Sequence, residues 1–314
     1  MSFIRTITGD VEISEMGLTY SHEHVIIDES YPILENPDFL LNDVDAITQE
    51  LSDLFQKGVR TMIDAMPANC GRNPLKLAEV SKRSGIQIVS CTGMHLEIYY
   101  PPTHWRYTYS EDQLAELFIA DIEEGIDEFD YNSPVITRTH HKAGLMKLAT
   151  ANDRITAHQE MIFHAIAQAH HKTGAPILTH TNAGKLALEQ AELLDSLGVD
   201  LTHVVICHVD RLDDPQYHRD LLQTGVYVEY DSAFRWKEEN ITLKLLEVLL
   251  PDFPNQITIG MDAARNTYWR VFDGKPGLDY LMTHFYRDLA ERGLAEYWEN
   301  LMVKNPAAVF SFAS

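Results

Sequence analysis

The run S-H-E-H-V at 21–25 sets His22 and His24 two residues apart. In an extended chain residues i and i+2 face the same side, so both imidazoles can reach one metal ion. Four more chemically capable residues end short apolar runs further along: Lys147 in A-G-L-M-K-L-A-T, His180 in P-I-L-T-H-T, His208 in V-I-C-H-V-D and Asp262 in I-G-M-D. Taken singly, each has an ordinary explanation, since most of the chain's 15 histidines should be solvated or hydrogen-bonded rather than ligating. Lys147 is harder to explain that way, because its neighbours are apolar and burying an ammonium is costly unless its charge is compensated or removed. The joint occurrence points to a metal site. Two divalent cations held about 3.5–4 Å apart need an anion between them. A buried lysine supplies one if its neutral amine takes up carbon dioxide to become a carbamate. Imidazole and carboxylate donors suit two Zn²⁺ ions, with Mn²⁺, Co²⁺ and Fe²⁺ also compatible, and no cysteine belongs to the set.

Such donors need a scaffold that gathers strand ends. Apolar, β-branched runs occur at 18–27, 59–66, 86–93, 143–150, 175–181, 203–209, 225–231 and 256–263. Stretches of helical spacing separate most of them, at 44–57, 74–84, 111–129, 156–173, 184–197 and 241–250, and two more follow at 277–292 and 294–304. Strands alternating with helices imply parallel pairing, and eight such units close a (β/α)₈ TIM barrel. An open doubly wound sheet also alternates, but no G-x-G-x-x-G follows the first strand, and the polar residues end several strands all round the ring rather than at one crevice. The expectation is α/β: a single (β/α)₈ barrel over 1–314, its active site at the C-terminal strand ends, preceded by a short β-hairpin in F-I-R-T-I-T-G-D-V-E-I-S. The connection from Gly93 to Ala143 carries an aromatic loop at 95–109, with Tyr99, Tyr100, Trp105 and Tyr107, that should cover the mouth.

Composition narrows the function. Lys and Arg number 25 against 47 Asp and Glu, a net charge of −22, which disfavours nucleic acid and anionic membranes alike. Residues 1–20 hold no apolar h-region and no run of 18 apolar residues occurs, so membrane spanning and secretion lack support. Cys70, Cys91 and Cys207 form no C-x-x-C, and read as reduced thiols of a cytoplasmic protein. Within this acidic chain Arg265 and Tyr268 follow Asp262, while Arg235 and Lys237 follow the seventh strand. Together they suit the phosphate or carboxylate tail of a small-molecule substrate, with pairing to surface acids as the competing explanation.

The motifs T-Y-S-H-E-H-V, G-V-R-T-M-I-D, A-G-L-M-K-L-A-T, P-I-L-T-H-T, V-I-C-H-V-D, I-G-M-D and K-N-P-A, in that order over about residues 6–312, resemble the phosphotriesterase family of the amidohydrolase superfamily. The resemblance implies that His22, His24 and Asp262 hold the more buried metal, that His180 and His208 hold the second, and that carboxylated Lys147 bridges them. It also implies a metal-bridging hydroxide as nucleophile and Asp262 as both ligand and general base. Asp210 fits the family's acid beside the sixth-strand histidine. The family's histidine after the seventh strand is replaced by Ser232, which cannot store a proton near neutral pH, so Asp231 or water substitutes or the relay is shortened. Relatives cleave organophosphate triesters, lactones, sugar-phosphate lactones and carboxylate esters, and the branch acting on phosphorylated sugar lactones carries an Arg and a Tyr at similar offsets after its metal aspartate. The expected activity is therefore hydrolysis of an anionic lactone or carboxylate ester. The alternatives are a phosphotriesterase or amide hydrolase acting on a neutral substrate, and a barrel that binds without turnover. A homodimer is the assembly the resemblance leaves open, and Tyr99 is the loop aromatic assigned to substrate.

Overall fold

The structure, a computed structural model, describes residues 2–151 and 153–313. Strands β1 (Phe3–Thr6) and β2 (Gly9–Glu12) pair antiparallel as the expected hairpin. The alternating units follow: β3 (Leu18–Glu23), α1 (Val44–Gln56), β4 (Val59–Asp64), α2 (Pro74–Ser84), then β5 (Gln87–Val89) and β6 (Cys91–Gly93), α3 (Glu111–Glu123), β7 (Leu145–Ala149) and α4 (Ala157–Thr173). The second half runs β8 (Ile177–His180), α5 (Ala187–Ser196), β9 (Val204–Cys207), α6 (Pro215–Gln223), β10 (Tyr227–Tyr230), α7 (Ile241–Leu249), β11 (Ile257–Ile259), α8 (Tyr286–Glu291) and α9 (Asn305–Val309).

All pairings from β3 onward are parallel, in the orders β3-β4-β5 and β6-β7-β8-β9-β10-β11. The two stretches join into a TIM barrel. β5 and β6 are one barrel strand interrupted at Ser90, whose carbonyl accepts from Gly144 N at 2.8 Å. At the other seam the N–H of Asp262 donates to the His22 carbonyl at 2.8 Å, closing β11 on β3. Glycine is required there: a Cβ on Gly260 would lie 2.7 Å from His22 N.

The period of two along each strand sorts the side chains. Ile63, Val89, Leu145, Leu178 and Val205 turn inward and fill the lower barrel. Its floor is plugged by Ile4 and Met16 from the N-terminal segment and by Val309 and Phe310 at α9. Met62, Met146, Leu148, Ile177, Val204 and Ile206 turn outward into a separate layer beneath the helices. Lys147 is thus two residues above Leu145 on the inner face, and His180 two above Leu178. The helices start where side-chain oxygens can satisfy free N–H groups: Asp43 caps α1, Asn73 caps α2, and Ser110 and Thr156 form capping boxes with Gln113 and Gln159.

Two readings of helices are corrected. The helix expected at 111–129 ends at Glu123 because Gly125 adopts φ 145° and a Cβ there would meet Thr139 O at 1.9 Å. The chain turns instead into a loop whose Asp127 bridges Arg138. Helix α6 was not read from the sequence, since its nine residues contain only three buried positions, His218, Leu221 and Leu222. The last helical stretch, expected at 294–304, is helical from Ala295 onward and runs on into α9, after which Val309 and Phe310 enter the barrel floor. No helix among the described residues is long and apolar enough to cross a membrane.

Gly93 tests the closeness of packing at the third strand. It sits at φ 98°, and an added Cβ would lie 2.1 Å from Lys147 O. Gly93→Ala should lower the melting temperature by roughly 5 °C or more, from left-handed strain plus the clash; an unchanged value in a calorimetric scan would contradict this geometry.

Candidate active site

The strand ends converge on one cavity of about 260 Å³, lined by His24, His180, His208, Asp262 and Lys147 among others. His22 lies just beneath, fully buried. Ligand-capable atoms of His22, His208 and Asp262 all fall within 4.8 Å of one another. His24 Nε2 is 3.4 Å and His22 Nε2 3.8 Å from Asp262 Oδ1. The rings of His180 and His208 meet edge to face at 4.6 Å between centroids. All six donors read from the sequence are therefore brought to the same end of the barrel.

Two of them arrive there by leaving strand geometry. Cys207 already occupies the inward position on β9, so alternation would turn its successor outward. His208 instead adopts φ 64° and swings into the cavity, and Asp262 does likewise at φ 49°. Left-handed backbone in a residue other than glycine is strained and persists only when its surroundings hold it. For Asp262 the holding group is Glu23, the residue between the two histidines. Its carboxylate accepts from Met261 N at 2.8 Å and Ala263 N at 3.2 Å, gripping the backbone on both sides of the aspartate.

Burial sets the protonation states. It drives the pKa of His22 down to about 3 and lowers that of His24, and it takes His180 well below 6.5 with help from His208 and Lys147. These three imidazoles are neutral, as metal ligation requires. Burial alone would raise Asp262, but His208, His24 and Arg235 outweigh it and hold its carboxyl well below the usual range. Glu23 goes the opposite way, pushed well above its usual value by burial that the two amide bonds only partly offset.

The donor set fits a pair of divalent cations. His22 Nε2 is buried with no hydrogen-bond partner among the described residues. Lys147 is 1% exposed and its Nζ donates to Ala65 O at 2.9 Å, with no carboxylate paired to it among the described residues. A ligand-ready nitrogen without a partner and a buried amine without a counter-charge fit a site for divalent cations.

Around the donors the structure rearranges the expected supporting cast. Asp210 is fully buried but set back, its Oδ2 accepting from Ser232 N at 2.9 Å and Thr242 Oγ1 at 2.5 Å. Burial and the neighbouring Asp231 raise its pKa to about 6. The carboxylate against the histidines is Asp231, 2.7 Å from His208 Nδ1 and 3.5 Å from His22 Nδ1. Arg235, Arg265, Tyr268 and Tyr99 all line the cavity, whereas Lys237 stands exposed on the loop beyond it. Arg265 pairs with Asp38 and stacks on Phe39. Arg235 donates to the carbonyls of Met261 and Asp262 and rests on the Phe234 ring.

Two cavity residues were missed by the sequence reading. Arg211 reaches Asp262 Oδ2 at 3.0 Å and Asp231 Oδ1 at 3.1 Å. In V-D-R-L-D-D it looks like a surface cation among acids, and only the short turn Val209–Arg211 folds it back to the mouth. His95, just past β6, lines the cavity beside His180; its place at a strand end was the available signal.

The family model described as "Phosphotriesterase family" matches residues 2–310. The chain belongs to the phosphotriesterase family. Within that family it is similar to a phospho-furanose lactonase of Mycoplasmopsis synoviae, at 31% identity over 99% of this chain and 92% of that protein. Among solved structures, a lactonase from Listeria monocytogenes superimposes with a TM-score of 0.91 at 31% identity, covering 99% of this chain and 100% of that one. The phosphotriesterase homology protein of Escherichia coli, in a crystal structure with phosphate in its active site, gives 0.85 at 31% identity over 94% of this chain and 99% of that one. This phosphotriesterase-family chain is a hydrolase.

Glu23→Ala strips the acceptors from two buried amides, each worth about 1–3 kcal/mol when orphaned. The expected result is a melting temperature lower by roughly 5–15 °C together with weaker binding of divalent metal; titration calorimetry showing unaltered metal affinity would mean that Glu23 does not hold Asp262.

Proposed function

We propose that this hydrolase opens a lactone, or cleaves a carboxylate ester, bearing a phosphate or other anionic group, with two divalent cations, Zn²⁺ by its donor set, at the strand ends. The observation that carries this reading is charge placement. In a chain of net charge −22, three guanidiniums, Arg211, Arg235 and Arg265, and the hydroxyl of Tyr268 share one cavity with five of the six donors, the sixth, His22, being buried beneath it. The similarity to a phospho-furanose lactonase and to a lactonase supports it. His22, His24 and Asp262 would hold the deeper cation, His180 and His208 the outer one, and Lys147, carboxylated, would span both. When bound, such cations polarise a carbonyl and lower the pKa of a coordinated water toward neutrality.

The chain's own groups do the rest. Asp262, an ionised carboxylate at the cavity wall, is placed to take the proton released as water adds to the carbonyl and to return it to the departing alkoxide. Opening a lactone needs only that single proton transfer, which suits a site where Ser232 replaces a titratable relay. Asp231 fixes the ring of His208. Arg265 is the guanidinium freest to meet an anion, because its one carboxylate partner among the described residues, Asp38, is itself one-third exposed. Arg235 is committed to backbone carbonyls and to Tyr268, over whose ring it lies at 5.5 Å, so it braces the anion end. Lys237, exposed, would contribute only long-range attraction. The buried, unpaired state of all three thiols supports a cytoplasmic setting.

Elemental analysis of the zinc-loaded protein should give two ions per chain, and a lactone and ester panel should show turnover of phosphorylated lactones in preference to neutral phosphotriesters. Lys147→Ala should lose the second ion and activity together; retention of two ions would remove the carbamate from this account. Asp262→Asn should lower kcat by about 10²–10⁴, and a loss smaller than tenfold would deny it the proton. Arg265→Ala should raise KM for a phosphorylated lactone about 10–100-fold with little change for a neutral one, whereas equal effects would reject the anion pocket.

A further inference from the structure

We propose that His95 is a fixed hydrogen-bond donor that reads an oxygen on the end of the substrate remote from its anionic group. Its polar atoms are accounted for by the protein with one exception. The His95 N–H donates to the Tyr100 hydroxyl at 2.9 Å, its carbonyl accepts from Arg106 Nη1 at 2.8 Å, and its Nδ1 accepts from the Leu96 N–H at 2.7 Å. A ring nitrogen that accepts carries no proton, so the proton is on Nε2; the same bond excludes the imidazolium, whose nitrogens both donate. Nε2 has no hydrogen-bond partner among the described residues, and the ring lines the cavity, 4.8 Å from His180 and 4.3 Å from Tyr99 between centroids.

The donor is aimed before any ligand arrives. The Tyr100 hydroxyl itself donates to Ala68 O at 3.1 Å. Buried Arg106 lies over the Tyr100 ring at 4.3 Å and anchors the loop to α4 through His158 Nε2 at 3.1 Å. Two residues of the aromatic loop, Tyr100 and Arg106, thus hold this imidazole in place.

Position gives the role. In the ring of eight barrel strands, the β5–β6 strand stands four places from β10, diametrically across the mouth. A ligand whose anion rests among Arg211, Arg265 and Tyr268 extends its other end toward His95. A neutral N–H there selects by the presence of an acceptor oxygen, and a site built to bond an oxygen rejects the analogue without it more strongly than an apolar pocket does. His95 therefore favours a ligand that carries an acceptor oxygen at its far end over one that ends there in an alkyl chain. This inference rests on the anion end assigned under Proposed function.

The test uses hydrolytically inert probes on the zinc-loaded protein: a pentitol 5-phosphate, and pentyl phosphate, which keeps the phosphate and carbon chain without hydroxyls. By calorimetry, His95→Phe should weaken the pentitol phosphate about tenfold and leave pentyl phosphate within a factor of about two; His95→Gln, which keeps an N–H, should recover part of the loss. Metal content of His95→Phe should match the wild type, and imidazole ¹⁵N spectra should report the proton on Nε2. Equal weakening of both probes, loss of an ion in His95→Phe, a proton on Nδ1, or no binding of either probe to the wild type would each overturn the proposal. Lactone turnover is scored separately: if the wild type discriminates the probes through His95 yet hydrolyses no lactone, the reaction assignment fails and His95 stands.

Discussion

The hydrogen bond from the Asp262 N–H to the His22 carbonyl at 2.8 Å is the constraint on which this molecule depends. It closes the last strand on the first, and so converts a curved sheet into a cylinder. The same contact brings a carboxylate and two imidazoles from opposite ends of the chain within reach of one ion. Barrel closure and assembly of the donor cluster are therefore one event. Glu23 reinforces it by accepting from the amides on either side of Asp262, which explains why an acid stands buried between two histidines.

Closure concentrates polar groups at the rim while the rest of the barrel remains apolar. Leu145, Leu178 and Val205 fill the lower layer, and Lys147 and His180 occupy the next inward positions on two of the same strands. The electrostatics follow from that stacking. Desolvation keeps His22, His24 and His180 neutral, while His208 and Arg211 beside Asp231, and His208, His24 and Arg235 beside Asp262, hold both carboxyls well below the usual range although burial alone would raise them. Carboxylates below and guanidiniums at the lip thus layer opposite charges in a site of modest volume, and on that layering the proposed cation and anion sites rest.

The loops divide the labour. Those after β9, β10 and β11 supply cations, whereas the long connection after β6 supplies a scaffold: of Tyr99, Tyr100, Trp105 and Tyr107, only Tyr99 lines the cavity. Tyr100 and Arg106 point inward to brace His95, and Trp105 packs on His104 and Tyr131, away from the mouth. An aromatic loop beside a barrel mouth thus contributes rigidity more than contact area.

The barrel, the hairpin and the convergence of His22, His24, Lys147, His180, His208 and Asp262 on one barrel end were legible in the amino-acid sequence because they rest on local rules: a period of two within strands, helical spacing between them, and chemically distinctive residues where apolar runs stop. Helix α6 escaped because its short amphipathic face buries few residues. Arg211 and His95 escaped for a different reason, since neither residue type nor spacing tells which way a turn folds after a strand ends. The exchange of Asp210 for Asp231 beside the histidines has the same origin, for His208 leaves its strand at φ 64° and alters which neighbouring carboxylate it meets. What the sequence alone determined is the set of groups able to ligate and the scaffold that gathers them. Which donors face the cavity between those groups and the solvent was decided by the tertiary structure, because side-chain direction at a strand end depends on contacts between segments far apart in the chain.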